Sequence, residues 1–217
     1  MAPIFNIESL CIFIATIVSA WVWYEKRGPS PLSLFILLSY LAVKNLIRIF
    51  DWFQLAPAQK LVLNNVTMLV EIIFYLLIIL FLLHSRFKKT MVTLFGVAFV
   101  GMAILNAIYW QPMQRVYSNY SFILGSVLVL ISILLFFHEQ LASEGYRTIF
   151  KNFWFWYATA LFIFLAAEIP IMSILNYLVH TQADVSAALY ILQFKIIVSS
   201  FYYLSFSTAY FLCRSKT

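Results

Sequence analysis

The sequence predicts an all-α integral membrane protein, a seven-transmembrane-helix bundle with its N-terminus outside and its C-terminus cytoplasmic. Three observations predict this. The chain is 64% hydrophobic and only 10% charged, with a mean hydropathy of +0.94, far from the soluble pattern of about half apolar and a quarter charged residues. Apolar runs fall at roughly 5–24, 31–53, 61–84, 89–110, 118–138, 152–178 and 186–213, each near or above the ~20 residues that cross about 30 Å of hydrocarbon as a helix. Finally, Lys and Arg gather on alternate connections.

Span one opens on MAPIFNIESL, which has no basic stretch ahead of its apolar run, so the span is expected to remain rather than be removed as a leader. Span two follows Pro29 and Pro31, span three follows Pro57, and span four ends before Pro112, so these prolines lie at or between helix boundaries. Runs such as LVEIIFYLLIILFLL in span three and FILGSVLVLISILLFF in span five never alternate apolar with polar, which excludes barrel strands. Ala103 and Ala107 make a small-xxx-small step in span four, read as ordinary helix packing. The sizeable connection is 139–151, EQLASEGYRTIFK, read as a solvated connector or a short interfacial helix interrupted by Gly145. Span six contains Pro170, predicted to bend the helix near Ala166–Glu168 and to serve as a hinge. Residues 1–217 are read as one membrane domain, leaving no room for a soluble catalytic or nucleic-acid-binding domain.

One side collects Lys26, Arg27, Arg86, Lys88, Lys89, Arg147, Lys151, Arg214 and Lys216, while the other has Lys60 and Arg115. The rich side should be cytoplasmic. This bias accounts for much of the net charge of +6 without a nucleic-acid partner; the lipid bilayer is the expected partner, in the plasma or inner membrane. Trp21, Trp23, Trp154 and Trp156 fall at inner boundaries and Trp52 and Trp110 at outer ones, as amphipathic anchors should. Cys11 and Cys213 lie at opposite depths, which excludes a disulfide within the chain.

Lys44, Glu71, Glu168 and Lys195 fall inside four different spans. A charge at the bilayer centre costs about 2.5–3.5 kcal/mol or more unless paired or hydrated, so such residues usually face an interior and mark function. With Phe53, Leu61, Leu178 and Ser186 as outer ends, each lies nine or ten residues inward and all four share a depth. Lys195 with Glu71 is the preferred pair and Glu168 with Lys44 its complement. Spacings of four and three put Lys44, Arg48 and Asp51 on one face of span two, where Arg48 and Asp51 can pair. Asn64, Asn65, Asn106 and Gln193 add a secondary polar lining in the outer half. Together these predict an outward-facing polar pocket, and the apolar inner halves argue against a channel.

Sharper motifs fail. In HEQLA, starting at His138, Ala142 stands where a zinc-protease helix needs its second histidine, and Gly125-Ser126 has no base in its span. No metal site, cofactor or enzymatic activity is expected. Lys195 at the middle of span seven resembles rhodopsins, a likeness that would imply retinal held as a Schiff base. Ile191 stands where microbial rhodopsins have an aspartate, and Glu71 lacks their arginine–aspartate–tryptophan pattern, so no residue role is carried over. A three-plus-one-plus-three layout resembles small sugar transporters of the SWEET type, whose in-span Pro-Gln pair is here reversed as Gln111-Pro112 in a loop.

The functional expectation is a receptor-like or sensor-like protein that binds a small polar ligand and signals through a separate membrane or cytoplasmic partner. A secondary transporter for a small polar or proton-coupled substrate is the alternative, and an accessory subunit with structural charges is third.

Overall fold

The computed structural model describes residues 2–50, 55–143, 149–181 and 185–214. Its helices are α1 (Ala2–Lys26), α2 (Pro29–Phe50), α3 (Pro57–Leu82), α4 (Arg86–Leu105), α5 (Asn119–Ser143), α6 (Phe153–Thr181) and α7 (Val185–Arg214), with α4 continued by a π-helical turn, Asn106–Trp110. All seven are long and apolar enough to cross a membrane. Ile17, Val97, Ile108 and Ile197 are each more than half exposed, as surfaces facing acyl chains rather than water would be.

Local chemistry sets the helix ends. Pro29 and Pro57 occupy the first positions of α2 and α3, where a missing N–H costs nothing and the fixed φ suits the helix. Ala56 has no capping side chain, but its N–H donates to Gln59 Oε1 at 2.9 Å, which is half of a capping box. Asn152 caps α6 by accepting the Trp154 N–H at 3.0 Å. Arg27, with φ of 32°, takes the left-handed position that closes α1, a place glycine usually fills. The expected connector at 139–151 starts later than predicted, because α5 runs on to Ser143; Gly145 lies outside the described residues.

The chain divides into two compact units, Met1–Lys26 with Gln140–Thr217, and Arg27–Glu139. In the terminal unit α7 packs against both α1 and α6. Ile12, Ala15, Ser19 and Val22 make the buried stripe of α1 at helical spacing. Aromatic rings join α6 to α7: Phe153 meets Phe206 at 5.5 Å and Tyr157 meets Phe206 at 6.1 Å, both edge to face, and Phe164 stacks on Tyr202 at 4.8 Å. Lys26 lies over the Phe153 ring at 5.3 Å.

In the central unit, α2 and α3 form an antiparallel hairpin held by a hydrogen bond between the Tyr40 and Thr67 hydroxyls at 3.1 Å. The α3–α4 turn is tied to α5 by Glu139, whose carboxylate accepts the backbone N–H groups of His84 and Ser85 and lies 3.6 Å from Lys88 Nζ. An anion at the start of α4 suits the positive end of that helix. Gly125 lets α5 approach closely: a Cβ there would sit 2.6 Å from Phe99 Cε2 and 2.8 Å from Ile72 Cγ2. Gly125→Ala should therefore destabilise the protein by about 1–3 kcal/mol through overpacking. An unchanged thermal midpoint in micelles would show that α3, α4 and α5 part without cost.

Candidate functional site

The central unit holds a cavity of about 130 Å³ lined by Lys44, Ile47, Arg48, Leu55, Lys60, Leu63 and Asn64. Helical spacing builds it. Lys44 and Arg48 are one turn apart on α2, Lys60 and Asn64 one turn apart on α3, and the antiparallel hairpin turns the two pairs toward the same space. Arg48 is positioned by the buried Asn45, whose Oδ1 accepts from Nη2 at 2.7 Å while its Nδ2 donates to the Leu41 carbonyl at 3.1 Å. Two larger cavities, about 350 and 300 Å³, are grooves of chiefly apolar side chains between α3 and α4 and between α6 and α7. Their linings suit acyl chains, whereas the smaller cavity carries the charge.

In the terminal unit, Lys195 Nζ lies 3.0 Å from Glu168 Oε1, and 3.3 Å from the Met172 sulfur one turn further along α6. Glu168 is only 7% exposed. Removing Lys195 from a pair at this distance and burial would strand the buried Glu168 carboxylate, which is costly. The aromatic contacts between α6 and α7 fix the register that makes the pair: Phe153 opposite Tyr210, Tyr157 opposite Phe206 and Glu168 opposite Lys195 follow one antiparallel progression.

Lys195 thus meets Glu168, a pairing not expected from the sequence, because hydropathy does not say which helices are neighbours. The common depth also fails within the α2–α3 hairpin. Lys44 lies one turn beyond Tyr40 toward the α2–α3 connection, and Glu71 one turn beyond Thr67 in the opposite direction. The Tyr40–Thr67 bond therefore separates their levels by about 12 Å at 1.5 Å per residue. The start of α3 contributes: it begins four residues before Leu61, so Glu71 lies deeper than expected.

The remaining expected residues divide by what they touch. Asn64 lines the cavity. Asn65 is fully buried and braces the 111–118 loop, donating to the carbonyls of Met113 and Val116 at 3.0 and 2.9 Å and accepting the Ser118 N–H at 2.9 Å. Asn106 donates to Gln111 Oε1 at 3.1 Å and Ser121 Oγ at 2.8 Å, anchoring the other end of that loop. Gln193 is half-buried on α7, two residues and so about 200° of helical rotation from Lys195. Pro170 lies inside α6, which runs unbroken through Ala166–Glu168; its ring nitrogen cannot donate to the Ala166 carbonyl. Asp51 lies outside the described residues.

Sequence reasoning passed over Lys60 and Asn45 as site residues. Lys60 was counted only as a loop cation, yet its four-residue spacing from Asn64 was a visible signal. Asn45 precedes Arg48 by three, the spacing of a side-chain pair on a helix. Glu8 is a polar residue of the outer half in the sequence too, and packing places it. α1 and α7 run parallel, with Tyr210 donating to Glu25 and Cys11 beside Ser200, and this register brings Glu8 to the level of Lys195. Among the described residues, no three His, Cys, Asp or Glu side chains converge to hold a metal. Comparison with protein-family models, curated proteins and solved structures gave no match.

Proposed function

We propose that this chain is a receptor-like or sensor-like multi-pass protein of the plasma or inner membrane, N-terminus outside and C-terminus cytoplasmic. It binds a small polar ligand within its spans and passes the signal to a separate partner. The observation that carries the reading is the cavity where Lys44, Arg48, Lys60 and Asn64 converge. Three basic side chains and an amide around one small space within membrane-spanning helices offer hydrogen-bond donors to a small polar ligand. The Glu168–Lys195 pair supplies a two-sided contact between α6 and α7 whose repacking can follow binding, with Pro170 two residues from Glu168 as the hinge. The spans themselves carry no output chemistry, so the partner is a kinase, another enzyme or a membrane subunit.

Isolation of the chain from its native membrane in intact lipid particles tests this. A stoichiometric partner whose activity changes when the recess is altered by Arg48→Gln is the expected result. A chain that purifies alone and leaves no partner activity altered would refute the sensor. Orientation is checked separately: a tag at residue 1 should be labelled from outside intact cells and a tag after Thr217 only after permeabilisation, on the nine-to-two basic bias. The reverse labelling would put the recess on the cytoplasmic side.

A secondary transporter keeps one observation in its favour. Glu168 is a buried carboxylate within a membrane-spanning helix, the kind of group that relays protons in transporters.

A further inference from the structure

We propose that the groove between α3 and α4 holds one anionic phospholipid, with an acyl chain along the groove and the phosphate against Arg86 and Lys89. This site is separate from the charged recess between α2 and α3 and does not depend on that recess binding anything. Ile73, Leu76 and Leu80 on α3 and Thr93, Gly96 and Val100 on α4 line a space of about 350 Å³. The short turn between the two helices sets these residues in antiparallel order.

Three observations converge on that occupant. The first is Gly96. A glycine inside a helix is disfavoured against alanine, and no packing within the chain calls for it here, because a Cβ added at Gly96 would meet no atom within 4 Å. The opening fits a group from outside the chain. The second is charge at one end. Lys89, Thr93, Gly96 and Val100 follow spacings of four, three and four, which make one stripe along α4, and Arg86 continues it three residues back. Both cations are exposed. Lys88, one residue round the helix, serves α5 instead, where it meets Glu139 and the Leu135 carbonyl. An apolar track with basic residues at its mouth complements an acyl chain with an anionic head.

The third is length. From Lys89 to Val100 the helix rises about 16 Å, close to half of the ~30 Å hydrocarbon core. The groove therefore covers one leaflet, the reach of one acyl chain, whereas a partner's transmembrane helix would need a track across both. On the orientation proposed above this leaflet is the cytoplasmic one, whose surface carries the anionic lipid.

Native mass spectrometry of the full-length chain in maltoside micelles, titrated with phosphatidylglycerol or with phosphatidylcholine of the same acyl chains, tests this. One phosphatidylglycerol should be retained saturably, at least tenfold more tightly than phosphatidylcholine. Gly96→Leu fills the groove and should weaken retention about tenfold or more. Gly96→Ala adds one methyl group that no other atom of the chain touches, so the lipid-free protein should melt no lower than the parent while retention weakens. Arg86→Gln combined with Lys89→Gln should abolish the preference over phosphatidylcholine, as expected when two cations at an anionic surface are lost. Lys151→Gln removes an exposed cation ahead of α6 and should change nothing. Equal retention of the two lipids, or phosphatidylglycerol binding that the Gly96 and Arg86–Lys89 variants leave intact, overturns the proposal. A loss as large in Lys151→Gln overturns it too, by reducing the effect to general surface charge. So does a dimer that retains no lipid and dissociates with Gly96→Leu, since the groove would then be a contact between copies.

Discussion

Lys195→Met should lower the unfolding free energy by about 3–5 kcal/mol, the cost typical of removing one partner from a buried ion pair. The contact removed is the one to Glu168 Oε1 at 3.0 Å, and the carboxylate left behind has 7% of its residue surface exposed. The stranded charge, more than the lost attraction, sets the size of the effect. Glu168→Leu should be the milder change, because the Lys195 side chain is 27% exposed against 9% for Glu168 and is the more easily hydrated of the two. The double change Lys195→Met with Glu168→Leu should recover most of the stability, since a packed apolar pair replaces two desolvated ions. Equilibrium unfolding in micelles measures all three. A Lys195→Met protein as stable as the parent would show that the pair contributes no net stability. A double variant that folds and still responds to ligand would assign the pair to architecture alone, as in an accessory subunit.

Asn65→Leu is expected to cost about 3 kcal/mol, because one side chain serves three backbone groups of the 111–118 loop. The Met113 and Val116 carbonyls lose their donor and the Ser118 N–H its acceptor, and each buried group left without a partner costs about 1–3 kcal/mol. Asn65→Asp separates the contributions. It keeps an acceptor for Ser118 but cannot donate to either carbonyl. Hydrogen exchange at Val116–Asn119 should accelerate in both variants while the α6–α7 amides keep their protection. Unchanged exchange at this loop would mean that other contacts hold it.

The sequence made the spans legible because a run of apolar residues near twenty long has few stable uses outside a bilayer. The boundaries drifted for a physical reason. α3 and α4 open on polar turns, Ala58-Gln59-Lys60 and Arg86-Phe87-Lys88, which hydropathy discounts although backbone hydrogen bonding already includes them. The four mid-span charges were visible from their cost in lipid, but their pairing was not. Hydropathy does not say which helices are neighbours, so the Glu168–Lys195 contact was not foreseen. The recess was half legible. Lys44, Arg48 and Asn64 stood out as helical-spaced polar residues, whereas Lys60 looked like part of a loop because a cation is out of place at the start of a helix. Glu139 shows the converse: read against a zinc motif it failed, and its contacts instead cap α4 and tie that helix to α5.

Sealed proteoliposomes containing only this purified chain test the central claim most directly, that its charged interior binds and signals rather than transports. Labelled small polar solutes, offered with and without an imposed proton gradient, should accumulate inside no faster than in protein-free vesicles. Gradient-driven accumulation that Glu168→Gln abolishes would contradict the claim and make the chain a transporter.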